Sequence, residues 1–128
     1  MATNSNPPIR ANLQLIFVSD IKKSTSYYTM LFETEPVFTS PRYVAFSAGD
    51  EKVLFALWTG KQAPDPQAPR FHEIGIMVSS NDEVEKLFQK WRKNSAINII
   101  QEPVSEVFGL TFLVKDPDGH IIRVSPLD

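Results

Sequence analysis

Phe112-Leu113-Val114-Lys115-Asp116-Pro117-Asp118-Gly119-His120-Ile121-Ile122-Arg123-Val124 sets two apolar, strand-like runs on either side of a four-residue turn. Pro117 presets φ for the first turn position, Asp118 tolerates the next, and Gly119 supplies a positive φ at no steric cost. Ile121, Ile122 and Val124 then resume a β-branched run. The stretch reads as a β-hairpin. The one cation in its returning strand, Arg123, stands either at an edge facing water or towards a polar pocket.

Working back from the hairpin, residues 97–101 predict a strand ended by Glu102-Pro103, and 110–115 the first arm of the hairpin itself. Val84, Leu87, Phe88 and Trp91 fall at i, i+3, i+4 and i+7, the apolar stripe of a helix, with Ser79-Ser80-Asn81-Asp82 as its caps. Residues 73–78 predict the strand before it. Residues 60–69 hold three prolines and little to bury, so they read as a linker.

Upstream of the linker the same order appears once already. Residues 13–18 are apolar except for Gln14 and predict a strand buried on both faces. Asp20 caps a helix over 21–32 whose Tyr27, Tyr28, Leu31 and Phe32 face a sheet. Strands follow at 35–39, 43–47 and 52–59, the last two joined by a turn at Ala48-Gly49-Asp50-Glu51. Leu15-Ile16-Phe17-Val18-Ser19 echoes Ile74-Gly75-Ile76-Met77-Val78-Ser79 at a period of about sixty residues, an internal duplication. The expectation is an α+β chain of two βαβββ modules: module one at about 10–60, a linker at about 61–70 and module two at about 71–128.

Composition narrows the function. The chain has 128 residues, 42% hydrophobic and 22% charged, enough for one core and too few for two independent ones. A net charge of −2 argues against a nucleic-acid or anionic-membrane partner. The absence of cysteine removes disulfides, thiolate nucleophiles and Cys-ligated metals. Nothing approaches a membrane span, and the polar, Pro-bearing leader lacks a signal-peptide layout, so a cytoplasmic protein is expected. No Ser-His-Asp arrangement, phosphate-cradling loop or dinucleotide fingerprint is present.

The two modules, the Val18-Ser19-Asp20 step into a helix carrying Ser26-Tyr27-Tyr28, and the Asp116-Pro117-Asp118-Gly119 hairpin together resemble the vicinal-oxygen-chelate superfamily. That group holds glyoxalase I, extradiol dioxygenases, fosfomycin-resistance transferases and bleomycin-resistance binding proteins. The resemblance implies half-barrels that pair, usually across a homodimer, to enclose a ligand cavity. It also implies four points at which the metalloenzymes place ligands, and these fall on Leu13, Phe55 or its neighbour, Glu73 and Arg123. One of the four could bind a metal, so no metal and no cofactor are expected. Glu73 and Arg123 are expected to pair, the guanidinium taking the charge role that a metal holds elsewhere.

Within the superfamily the chain is most similar to the metal-free phenazine-resistance binders. The similarity runs through Asn12-Leu13-Gln14-Leu15, Pro41-Arg42-Tyr43-Val44-Ala45-Phe46, Leu54-Phe55-Ala56-Leu57-Trp58, Glu73-Ile74-Gly75-Ile76-Met77 and Val107-Phe108-Gly109. It implies a homodimer that sequesters a small planar aromatic antibiotic without chemistry, and therefore no catalytic residue. A flat ligand needs apolar faces and a polar rim. The candidates are Tyr43, Phe46, Phe55, Trp58, Phe108, Phe112, Met77 and Leu13 for the faces, with Arg42, Glu73 and Arg123 for the rim. Trp91 belongs to the helix stripe, His120 is expected at the surface, and His72 should point away from the cavity. A glyoxalase-like or dioxygenase-like metalloenzyme, or a binder of an unrelated metabolite, remains the alternative.

Overall fold

The computed structural model describes residues 8–50 and 52–127; the leader over 1–7 and Glu51 of the first hairpin turn lie outside them. Module one runs β1 (Leu13–Phe17), α1 (Ile21–Phe32), β2 (Phe38–Thr39), β3 (Tyr43–Ser47) and β4 (Leu54–Trp58). Module two runs β5 (Glu73–Val78), α2 (Asn81–Trp91), β6 (Asn98–Glu106), β7 (Gly109–Lys115) and β8 (Ile121–Pro126). The sheets are ordered β1-β4-β3-β2 and β5-β8-β7-β6, so one topology is used twice. These are the two βαβββ modules of the expected α+β fold, built as open sheets.

Both helices start where the caps predict. The Asp20 carboxylate accepts from the N–H groups of Lys22 and Lys23, and the Ser80 hydroxyl accepts from that of Glu83. Each cap satisfies donors that the first helical turn leaves unpaired, worth about 1 kcal/mol apiece. The apolar stripes then bury Tyr27, Tyr28 and Leu31 on α1, and Val84, Phe88 and Trp91 on α2, against one face of each sheet. No helix among the described residues is long and apolar enough to cross a membrane.

Four strands depart from expectation. Those expected over 35–39 and 52–59 are confined to Phe38–Thr39 and Leu54–Trp58. β6 does not stop at Glu102-Pro103 but runs through it to Glu106, with irregular register between Ile99 and Val104. β6 is the edge of its sheet, and Pro103 falls in its irregular stretch, where a missing N–H is tolerated. β1 is buried on one face only: Ile16 is 7% exposed, while Leu13, Leu15 and Phe17 stand 46%, 36% and 40% exposed.

The Asp116–Gly119 turn does more than reverse the chain. The Asp116 N–H donates to the His120 carbonyl, and the Gly119 N–H to that of Asp116, closing the turn with Gly119 at φ 89°. Both turn carboxylates are nevertheless buried. Asp116 accepts from the Tyr28 hydroxyl at 2.7 Å and from the N–H groups of Asp118 and His120, while Asp118 accepts from the Ser19 hydroxyl at 2.6 Å and its N–H at 3.0 Å. Arg70 of the linker donates to the Asp118 carbonyl, and the Nε2 of His120 lies 2.9 Å from the Phe17 carbonyl. The second module's hairpin is thus bolted to the strand-to-helix step of the first. His120, expected at the surface, is half-buried in this joint. An ion pair between Lys90 on α2 and Glu33 at the end of α1 also joins the modules.

Candidate ligand-binding cleft

Strand alternation and register sort each sheet into a helix-facing side and an open side. In module one the parallel β1/β4 register sets Leu13 beside Leu54, Leu15 beside Ala56 and Phe17 beside Trp58, and β3 adds Tyr43 opposite Trp58. The open side is therefore an apolar strip ending in an aromatic corner. Phe17 meets Trp58 edge-on at 6.0 Å, and Tyr43 meets Phe38 at 6.0 Å. Two cations flank the corner. The Lys61 ammonium sits 4.9 Å from the centre of the Trp58 ring, and the Arg42 side chain lies against Gly60. Neither has a carboxylate within 4 Å among the described residues.

Module two presents a different open side. Glu73, Gly75 and Met77 alternate along β5, and Arg123 lies between Gly75 and Leu113 in the register. Arg123 forms a two-pronged pair with Glu73, Nε to Oε1 at 2.6 Å and Nη2 to Oε2 at 3.0 Å. Its Nη1 donates to the Thr111 hydroxyl at 3.2 Å, and its guanidinium lies 5.6 Å from the Phe108 ring centre. The hydrogen bonds from Arg123 hold the Glu73 carboxyl below the usual glutamate range, and the same bonds raise the Arg123 pKa. The expected pairing of these two residues is present, and most of the guanidinium's donors are already used within the protein.

The candidates divide accordingly. Leu13, Arg42, Tyr43 and Trp58 gather on the open side of module one, and Glu73, Phe108 and Arg123 on that of module two. Phe46 and Phe112 do not belong with them; both are fully buried on the helix side, Phe46 against Phe32 and Phe112 against Phe88 and Trp91. Phe55 also turns to the helix side, packing on Tyr28 and Phe32. It touches hollows between the modules, one of about 200 Å³ shared with Leu15, Glu73 and Gly75 and one of about 440 Å³ shared with Met77. Met77, 64% exposed, is on the edge strand and away from the aromatic corner. His72 borders the smaller hollow, outside the aromatic corner.

Phe17, Leu15 and Lys61 were missed from sequence. In the strand Leu13-Gln14-Leu15-Ile16-Phe17 the lone polar residue, Gln14, is too little alternation to mark the open side. The available signal was the parallel pairing of the two strand ends, which forces Phe17 beside Trp58.

The four points at which the metalloenzymes would hold an ion do not fit one. Leu13 offers hydrocarbon, the residues flanking Phe55 on the open side are Leu54 and Ala56, and Glu73 is engaged by the cation Arg123. A divalent ion needs several converging oxygen or nitrogen donors, and among the described residues no three His, Asp or Glu side chains converge.

Residues 10–124 match the family model of the Glyoxalase/Bleomycin resistance protein/Dioxygenase superfamily. The phenazine antibiotic resistance protein EhpR of Enterobacter agglomerans is 52% identical over the full length of both chains. Among solved structures, a protein of Agrobacterium tumefaciens determined by solution NMR is 25% identical, with a TM-score of 0.77 over 94% of this chain and 99% of that one. A glyoxalase-related enzyme from Fulvimarina pelagi is 20% identical, with a TM-score of 0.73 over 91% of this chain and 87% of its own. The last likeness bears on fold alone.

Proposed function

We propose that this chain, which belongs to the Glyoxalase/Bleomycin resistance protein/Dioxygenase superfamily, is a metal-free cytoplasmic binding protein. It sequesters a planar aromatic antibiotic of the phenazine type and so confers resistance. The observation that carries the reading is end-to-end 52% identity to a phenazine antibiotic resistance protein. The chemistry of the cleft supports it: the Trp58–Phe17–Tyr43 corner offers flat faces for ring stacking, with Arg42 and Lys61 at its rim. A ligand carboxylate would meet those two cations sooner than Arg123, whose charge Glu73 already balances.

The chain works as one unit of two modules, about 10–60 and 71–128, in a homodimer. A second copy would cover the exposed apolar residues Leu13, Leu15, Phe17 and Phe108 and close each cleft over its ligand. Calorimetric titration of metal-stripped protein with phenazine-1-carboxylate tests the reading. Saturable binding that a chelator leaves unchanged is expected. Binding that appears only with an added divalent ion, or turnover of a catechol or hemithioacetal, would replace it with a metalloenzyme.

A further inference from the structure

Phe17 and Trp58 form the aromatic corner together, yet the two are held in place differently. Trp58 lies inside its sheet, paired with Phe17 on one side and Tyr43 on the other. Its carbonyl accepts from the Val18 N–H, and the next N–H, that of Thr59, donates to the Arg42 carbonyl. Phe17 ends β1, an edge strand. Its ring is 40% exposed and meets Trp58 only edge-on, so packing alone does not fix it. Strand ends with few buried contacts are the parts of a sheet that open most readily, and a side chain there goes where its main chain goes.

The Phe17 carbonyl is the point at which that main chain needs a hold. In a trans peptide the C=O and the following N–H point in opposite directions, and the Val18 N–H is directed at Trp58. The Phe17 carbonyl therefore faces the outer edge of β1, where its own sheet offers no donor. His120 of module two supplies one, its Nε2 lying 2.9 Å from that oxygen. A carbonyl only accepts, so the imidazole carries a proton on Nε2. The ring is itself aimed by its backbone. The His120 N–H donates to Asp116 Oδ1 at 2.8 Å, the His120 carbonyl accepts from the Asp116 N–H at 2.9 Å, and Asp116 is tied to Tyr28. Asp118 of the same turn binds Ser19, two residues beyond Phe17. The linker backs the turn so closely that a Cβ on Gly119 would stand 2.9 Å from the Pro66 carbonyl oxygen.

We infer that His120 is a positioning residue for the ligand site. Through the Phe17 carbonyl it holds the end of β1 so that the Phe17 ring keeps its contact with Trp58, and module two thereby tunes the affinity of a corner built by module one. The inference rests on that corner being where the planar aromatic ligand stacks. A His120 that served the fold alone would lower stability on removal and leave the affinity of the folded chain unchanged.

The test is calorimetric titration of the full chain with phenazine-1-carboxylate, well below the unfolding temperature of each variant. His120→Leu fills similar space without a donor and should weaken binding about threefold to fivefold, the equivalent of one neutral hydrogen bond; His120→Ala replaces it should it fold poorly. His120→Gln sets an amide N–H near the place of Nε2 and should restore most of the affinity. In a Phe17→Ala background, which keeps the carbonyl and loses the ring, His120→Leu should lower Tm as before yet leave affinity unchanged. Unaltered affinity in His120→Leu, or an equal loss in both backgrounds, would overturn the inference. A second arm needs no ligand: acrylamide quenching of Trp58 fluorescence, with Trp58→Ala giving the contribution of Trp91. His120→Leu and Phe17→Ala should both raise it, and His120→Gln should not. Failure of the wild type to bind phenazine-1-carboxylate would remove the antibiotic reading, and the quenching arm then decides: equal quenching in wild type and His120→Leu would overturn the inference.

Discussion

The two modules share a topology, and their registers allow position-by-position comparison. Leu13 pairs with Leu54 in one and Glu73 with Ile121 in the other, so Leu13 corresponds to Glu73, Ala56 to Arg123, Phe17 to Met77 and Trp58 to Ser125. Where module two carries an ion pair, module one carries two aliphatic side chains. Where module one ends in an aromatic corner, module two has a methionine and a serine. The hairpin turns differ as sharply. The Gly49–Asp50 turn stands in solvent, whereas Asp116 and Asp118 are buried in the joint. Duplication preserved the backbone plan and divided the side chains: the first module carries the aromatic corner proposed for ligand stacking, the second the neutralised charge and the anchoring turn.

The largest effect should come from the anchoring turn. Asp116→Ala strands the Tyr28 hydroxyl and two turn N–H groups in a buried joint, so urea unfolding should show a loss of about 3 kcal/mol. Asp50→Ala, at the corresponding exposed turn, should lose no more than about 1 kcal/mol, the worth of its bond to the Lys52 N–H. Equal losses would break the claim that only the second turn is structural.

Next in size is the aromatic corner. Phe17→Ala removes the edge contact to Trp58 from a residue already 40% exposed. Phenazine affinity should fall by about fivefold to tenfold, the worth of one aromatic pair, with a smaller change in stability. Met77→Ala, at the corresponding place in module two, should leave affinity within about twofold if stacking belongs to module one.

The smallest effect is expected at the ion pair. Glu73 and Arg123 are partly exposed, and a double-mutant cycle with Glu73→Gln and Arg123→Met should give a coupling below about 1 kcal/mol. The sign with pH follows from the lowered Glu73 pKa. The contribution is present in full above the ordinary glutamate range and is lost as pH falls through the lower folded-state value. The stability gap between wild type and Glu73→Gln should therefore close in acid; a gap that widens there would contradict the pairing.

Much of the fold was legible because the informative residues are ones with few conformational options. Pro117 and Gly119 admit one kind of turn, Asp20 and Ser80 are strong caps, and the i, i+3, i+4, i+7 spacing of Val84 to Trp91 has one periodic reading. The Glu73–Arg123 pair was also legible, since charges in otherwise apolar strands stand out. The side on which Phe55 lies was not. Leu54-Phe55-Ala56-Leu57-Trp58 is apolar throughout, and without a polar residue to mark the period a one-residue shift reverses every side chain. The anchoring role of Asp116 and Asp118 was hidden for another reason. Their partners, Tyr28 and Ser19, are about ninety to a hundred positions away, and the same residues are explained locally by the turn they form. Pro103 misled in the opposite direction, since its tolerance in β6 depends on that strand's place at the sheet edge.

Tryptophan fluorescence tests the central division of labour most directly. Trp91 is buried in the α2 stripe and Trp58 stands at the open corner, so titration of metal-stripped protein with phenazine-1-carboxylate, corrected for absorbance, reads the corner. The account predicts saturable quenching at micromolar concentrations, about −8 kcal/mol, and its loss in Trp58→Ala. Absence of saturable quenching, or equal quenching and affinity in Trp58→Ala, would contradict it.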